Sequence, residues 1–117
     1  MFDVHVEQEG ALATLVLKGE LDLAEAPRLG SAASRVIRDD SVERVVVDLR
    51  GLTFMDSTGL RTILRADARA REAQKDFALI RGTERVHRIF QLTKLDARFA
   101  FTEASPASDG QLKESDA

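Results

Sequence analysis

The sequence predicts an α/β fold, a mixed β-sheet flanked by α-helices and opened by a β-hairpin. Three observations predict it. Phe2, Val4 and Val6 alternate with polar residues, and after Glu9-Gly10 comes a second strand-like stretch over residues 12–17. Alternation with period two marks a half-buried strand, and a glycine turn between two such runs marks a hairpin. Residues 45–49 (VVVDL) and 77–80 (FALI) are continuous apolar runs, the pattern of central strands covered on both faces. Between and after them, apolar residues recur at three- and four-residue steps, the period of amphipathic helices. Strands alternating with helices give an α/β layer architecture with right-handed crossovers, and the hairpin makes one sheet edge antiparallel.

The second strand closes at Lys18-Gly19. The first helix follows, with Asp22 or a neighbour as its cap and Pro27 confined to its first turn. Ala26, Leu29, Ala33, Val36 and Ile37 mark its buried face, and Asp39-Asp40-Ser41 ends it. Residues 45–49 form a central strand, and residues 50–55 a short connection with Phe54 and Met55 pointing inward. Asp56-Ser57-Thr58-Gly59 opens the second helix, whose apolar stripe is Leu60, Ile63, Leu64 and Ala68. Residues 77–80 are a buried strand. Gly82-Thr83 starts a third helix with Val86, Ile89 and Phe90 inward, and residues 99–101 make a short last strand. Residues 1–103 are thus expected to form one domain. From Ala104 the chain turns polar (Ser105-Pro106-Ala107-Ser108-Asp109-Gly110 and beyond), so residues 104–117 are expected to be a disordered tail. No internal repeat is visible.

Composition narrows the function. At 117 residues, 44% hydrophobic and 32% charged, the chain is long and apolar enough to bury a core without staples. It has no cysteine, which excludes disulfides, thiolate metal sites and cysteine nucleophiles. A net charge of -3 argues against nucleic acid as a partner, since such binders need an excess of Lys and Arg. The first residues, Met1-Phe2-Asp3-Val4-His5, have no basic stretch leading into an apolar run, so no signal peptide is read there. No apolar run approaches the ~20 residues a membrane span needs. A cytoplasmic location is the expectation.

The densest polar cluster is Asp56-Ser57-Thr58-Gly59. A helix start exposes unpaired N–H groups and a partial positive charge, so a phosphate there is electrostatically welcome. Phosphorylation adds roughly -1.5 to -2 charges at neutral pH, here beside Asp56. Locally the same residues are also explained as a plain helix cap. Gly19-Glu20-Leu21-Asp22 forms a second cluster. Its carboxylates suit a recognition surface, or a metal-bound nucleotide held by a partner; a turn followed by a cap explains them as well. Arg61, Arg65 and Arg69 recur every four residues and share one helix face, with Arg61 one turn beyond Ser57. Arg61 could pair with a phosphate on Ser57; alternatively the three form a solvated basic face balanced by Asp67 and Glu72. His5 and His87 have no spacing that suggests a metal site or a catalytic base, and read as surface or half-buried residues.

Catalytic signatures are missing. The serine is not in a G-x-S-x-G elbow, and there is neither a G-x-G-x-x-G nor a P-loop. A response-regulator receiver domain is a rival of similar length, with Asp48 as the candidate phosphoacceptor at a strand end. Its acidic pair after the first strand is missing, however, and the opening hairpin conflicts with its strand–helix start.

The segment 45–49 followed by Thr53-Phe54-Met55-Asp56-Ser57-Thr58-Gly59-Leu60 resembles the signature of STAS-domain anti-sigma-factor antagonists. Gly19-Glu20-Leu21-Asp22 matches that family's G-E-[LI]-D segment, and Arg85-Val86-His87-Arg88-Ile89-Phe90 with Leu92 and Leu95 looks like its third helix and exit. The resemblance covers roughly residues 2 to 103. It implies a STAS-like mixed sheet flanked by helices, no enzymatic activity and no cofactor.

It also implies a partner-switching cycle. The unmodified antagonist binds an anti-sigma factor that is a serine kinase, freeing the sigma factor. The kinase phosphorylates the serine after the aspartate, here Ser57; the antagonist lets go, and a phosphoserine phosphatase resets it. Glu20, Asp22, Asp56, Ser57, Thr58, Gly59 and Arg61 are the partner-binding residues this reading assigns, with neither nucleic acid nor membrane as a partner. Two positions depart from the family: Arg61, where a small residue is frequent, and Ala73-Gln74-Lys75-Asp76, where paired glycines are. Two other readings stand beside it: a STAS scaffold or transport-complex subunit that does not act on a sigma factor, and a small-molecule or nucleotide-binding domain.

Overall fold

The computed structural model describes residues 1–103, so the expected tail at 104–117 lies outside the described residues. Five strands form one sheet in the order β1-β2-β3-β4-β5. These are β1 (Phe2–Glu9), β2 (Leu12–Leu21), β3 (Arg44–Met55), β4 (Asp76–Ile80) and β5 (Phe101–Thr102). The hairpin makes β1 antiparallel to β2, and every later pairing is parallel. Helices α1 (Ala26–Ile37), α2 (Ser57–Glu72) and α3 (Glu84–Leu92) supply the three crossovers. This is the mixed, hairpin-opened α/β sheet that the sequence predicts.

The core follows from strand alternation. Ala13, Leu15 and Leu17 of β2, Val45, Val47 and Leu49 of β3, and Phe77 and Leu79 of β4 face the helices. They meet Leu29, Ala33 and Val36 of α1, Leu60, Ile63 and Ala66 of α2, and Val86 and Phe90 of α3. The intervening positions Leu12, Val46, Ala78 and Ile80 make a smaller buried cluster on the other face.

Several local expectations are corrected. Residues 50–55 are no loose connection: β3 runs on to Met55, and its register against β2 shifts twice, between Val16 and Lys18 and between Gly19 and Glu20. At these irregularities β3 carries extra residues, which re-aim its side chains. Gly51 sits at the first, where a Cβ would come within 2.6 Å of the Leu17 carbonyl oxygen. As a result Met55 points into the core while Phe54 points out, 39% exposed. On α2 the buried stripe runs through Gly59, Leu60, Ile63, Ala66 and Ala70; Leu64 is half-buried and Ala68 is exposed. Asp67 is no counter-charge on a solvated face. It is buried, and its Oδ1 accepts from Arg71 Nε at 3.0 Å. The last strand starts at Phe101, with Phe99 buried just before it.

The turn at 73–76 closes α2 without glycine. Gln74 takes a left-handed conformation, φ 62°, with its N–H donating to the Arg71 carbonyl at 2.9 Å and the Lys75 N–H to that of Ala70 at 2.8 Å. That is a Schellman ending, which usually places glycine where Gln74 stands. α3 ends the same way around Lys94, φ 61°. His87 is buried, not superficial. Its ring stacks on Phe90 at 5.8 Å and meets the edge of Phe101 at 5.2 Å, and its Nδ1 has no partner among the described residues. Burial, with the nearby Arg81 charge, holds its pKa below the ordinary 6.5, and Asp96 offsets this in part.

Two outcomes follow. Replacing Gln74 with Gly relieves a left-handed side-chain residue and raises stability by about 1 kcal/mol, read by urea denaturation. As pH falls below about 6.5, the unfolded chain takes up the His87 proton more readily than the folded one, so folding stability declines. In His87→Phe the urea midpoint changes less between about pH 7.5 and 5.5 than in the parent, because that difference in proton uptake is gone.

Candidate functional site

The parallel strands β2 and β3 end together at Leu21 and Met55, and the chain turns there into α1 and α2. In open α/β sheets this carboxyl edge is where loops gather into binding surfaces. The Asp56 N–H donates to the Leu21 carbonyl at 3.2 Å and pins the start of α2 to the end of β2. Asp56 is the N-cap: its backbone is extended, and its Oδ1 accepts from the Gly59 N–H at 2.9 Å. Gly59 is buried against β2, where a Cβ would sit 2.8 Å from Leu21 Cγ and 3.0 Å from the Leu21 carbonyl oxygen.

This geometry divides the labour within Asp56-Ser57-Thr58-Gly59. Asp56 caps and Gly59 permits the close approach. Thr58 is half-buried, and its carbonyl accepts from Thr62 Oγ1 at 3.0 Å. Ser57, the first helical residue, is exposed, and its hydroxyl makes no hydrogen bond among the described residues. Helix capping therefore explains Asp56 and leaves Ser57 without a structural task.

Glu20 and Asp22 lie beside this start. Glu20 pairs in register with Phe54, so both point outward, and both line a shallow cleft of about 340 Å³ with Asp22, Thr53 and Arg85. Thr53 Oγ1 donates to the Gly19 carbonyl at 3.2 Å, which joins the two strand ends. Asp22 caps the turn before α1: its Oδ1 accepts from the Glu25 N–H at 3.1 Å, while Glu25 is the N-cap residue and contributes no side-chain cap. On the other side Thr58 shares a cleft with Leu23, which is 71% exposed. Arg61 is exposed one turn beyond Ser57 and forms no ion pair among the described residues. The sequence-predicted residues thus gather on one edge of the sheet. Leu23, Phe54 and Arg85 join them unforeseen; the two bulges of β3 cancel in parity, so alternation carried on from Leu49 turns Met55 inward and Phe54 outward.

Asp48 lies within β3, not at its end. Its carboxylate is held by Arg50, with Nε donating to Oδ1 at 3.0 Å and Nη2 to Oδ2 at 2.8 Å, so it is not placed as a receiver-type phosphoacceptor. Among the described residues no group of three His, Cys, Asp or Glu side chains could hold a metal ion, and no helix is long and apolar enough to cross a membrane.

A sequence profile described as "Mlab, STAS domain" matches residues 4–103. The chain belongs to the STAS-domain family. Among curated relatives, the anti-sigma-B factor antagonist of Listeria monocytogenes is 30% identical over 82 residues, 69% of this chain and 70% of that one. That of Staphylococcus aureus (strain NCTC 8325 / PS 47) is 29% identical over 77 residues, 66% of this chain and 70% of that protein. Among solved structures, an anti-sigma factor antagonist from Mycobacterium paratuberculosis superposes with a TM-score of 0.81 at 23% identity, covering 97% of this chain and 95% of that one. The antagonist SpoIIAA in its unphosphorylated form gives 0.77 at 19% identity, covering 97% and 96%. SpoIIAA of Bacillus in its phosphorylated form gives 0.71 at 19%, covering 93% and 97%. At these identities the structures share the STAS fold.

The site makes a stability prediction. Asp56→Ala loses the cap and costs about 1 kcal/mol. Gly59→Val forces α2 away from Leu21 and costs about 3 kcal/mol. Ser57→Ala changes stability by less than about 0.5 kcal/mol, since that hydroxyl holds nothing. Chemical denaturation of the three variants checks the order.

Proposed function

We propose that this STAS-domain protein is a phosphorylation-switched anti-sigma-factor antagonist, acting in the cytoplasm by binding and not by catalysis. Unmodified, it binds an anti-sigma factor that is a serine kinase, and so frees the sigma factor. Phosphorylation of Ser57 releases it, and a phosphoserine phosphatase restores it. Neither nucleic acid nor membrane is a partner in this cycle.

The observation that carries the reading is the idle, exposed hydroxyl of Ser57 at the first position of α2, next to a cap that works without it. A kinase can modify such a hydroxyl without unfolding the helix. The names of the curated relatives support the same reading. So does the occurrence of this fold in SpoIIAA both with and without phosphate.

The switch is electrostatic. A neutral hydroxyl can be buried under a partner, whereas a dianion beside Asp56 must shed its water and meet a like charge. Leu23 and Phe54 offer the apolar anchors such an interface centres on, and Glu20 and Asp22 its polar rim. Arg61, on the next turn, is placed to pair with the phosphate.

The test is intact and peptide mass spectrometry of the complex with its kinase, before and after ATP. Phosphate appears on Ser57 as the complex dissociates. Ser57→Ala binds the kinase and is not released by ATP. Ser57→Asp binds about tenfold more weakly or worse while its thermal unfolding is unchanged. Phosphate on another residue, with Ser57 untouched, overturns the assignment. A stably bound, ATP-competent kinase that leaves no phosphate points to a scaffold or transport-complex subunit.

A further inference from the structure

Four arginines along α1 and α2 have no part in the proposed Ser57 switch. Arg35 of α1, Arg38 at its C-cap, and Arg65 and Arg69 of α2 are all exposed, and none forms an ion pair among the described residues. The chain as a whole is acidic, at -3, so four unpaired cations on one helical layer are a local concentration of charge.

They also flank a shaped surface. The two helices pack closely, Gly30 of α1 facing Thr62 of α2, where a Cβ on Gly30 would lie 3.9 Å from Thr62 Cγ2. Along this seam Arg35, Arg38 and Arg69 line one depression of about 420 Å³. Arg65 lines a second of about 230 Å³ with Thr58 and Thr62. Pro27 and Gly30 line both, which joins them into one groove. Ala33, Thr62 and Ala66 contribute small side chains where the helices meet. The groove thus begins beside Thr58 and runs away from the acidic strand ends, between walls of opposite sign to them.

We propose that this α1/α2 groove is a docking site for an acidic, extended segment of a protein partner; its Arg35, Arg38 and Arg69 end lies away from Ser57, and its Arg65 end meets the surface around Ser57 at Leu23 and Thr58. Charge complementarity names the occupant: four guanidinium groups offer bidentate donors to successive carboxylates. Shape favours a narrow chain, because a flat lipid surface reaches only the rim of a groove between helices. No aromatic residue lines it, so the stacking platforms of single-stranded nucleic acid binding are missing. The site reads charge, and its three arginines farthest from Ser57 (Arg35, Arg38 and Arg69) line the end that is least affected by modification there.

The test titrates the ¹⁵N-labelled chain with a short synthetic peptide of alternating Glu and Ser, and with its Gln-for-Glu counterpart. The expected result is saturable shifts confined to α1 and α2, with the Gln peptide inert and binding weakened by added salt. The double charge reversal R35E/R69E lowers affinity for the Glu peptide about tenfold or more, R35Q/R69Q lowers it less, and both melt as the parent does. Ser57→Asp, at the near end of the groove, lowers that affinity less than R35E/R69E does, so loss of the groove and failure of the serine switch are read separately. Shifts centred elsewhere, or affinity indifferent to R35E/R69E, overturn the proposal. Tighter binding of phosphatidylserine vesicles or of oligothymidine through the same arginines also overturns it, and puts that class of ligand in the groove.

Discussion

The close approach of α2 to the end of β2 organises the functional edge of this protein. It rests on one hydrogen bond, from the Asp56 N–H to the Leu21 carbonyl, and on one missing side chain, at Gly59. The bond fixes where the helix begins, and the glycine lets its first turn lie against Leu21. With that contact in place, the loops after β2 and β3 share one surface: Glu20 and Asp22 from one, Phe54 and Asp56 from the other. Any larger residue at 59 pushes the helix start outward and separates Ser57 from the carboxylates that define its surroundings.

Within that contact, structure and function fall to different residues that are neighbours in sequence. Asp56 satisfies an N–H group that a helix start otherwise leaves unpaired. Once it does so, Ser57 owes nothing to the fold. A modifiable hydroxyl is best placed where changing it perturbs no other bond, and an N1 position behind a competent N-cap meets that condition. In the proposed switch the adjacent carboxylate would turn one added phosphate on Ser57 into a patch of strong negative charge.

The overall architecture was legible because it is set by periods of two and 3.6 along the chain. The hairpin, the aliphatic runs at 45–49 and 77–80, and the faces of α1 and α3 all appear where the pattern places them. The misread segments are those where a tertiary feature overrides the period. Residues 50–55 read as a connection because the two register shifts break the apolar pattern of β3 with the exposed pairs Arg50-Gly51 and Thr53-Phe54. Asp67 reads as a surface counter-ion because a carboxylate is seldom buried unless paired; its i,i+4 partner Arg71 lies on the same helix, but its burial shows only once α2 is placed on the sheet. His87 reads as surface or half-buried for a similar reason: Phe90 lies on its own helix, but Phe101, which closes over it, lies on β5. Of the site, the motif residues were legible from resemblance and from capping chemistry. Leu23 and Arg85 were not, since an exposed leucine and one more arginine carry no local signal.

Magnitudes explain how, in the proposed switch, one phosphate on Ser57 would leave the fold alone and yet decide an interface. At the first turn of a helix an added anion gains about 0.3–1 kcal/mol from the helix dipole when exposed, and repulsion from Asp56 in water is of the same small order. The two nearly cancel, so folding stability is insensitive to the state of Ser57. Under a partner the balance changes, because water no longer screens the pair and a dianion must be stripped of its hydration. The cost of an uncompensated buried charge runs to several kcal/mol, enough to offset what apolar contacts such as Leu23 and Phe54 return. The asymmetry needs no conformational change, only a hydroxyl that is free in the isolated protein and covered in the complex.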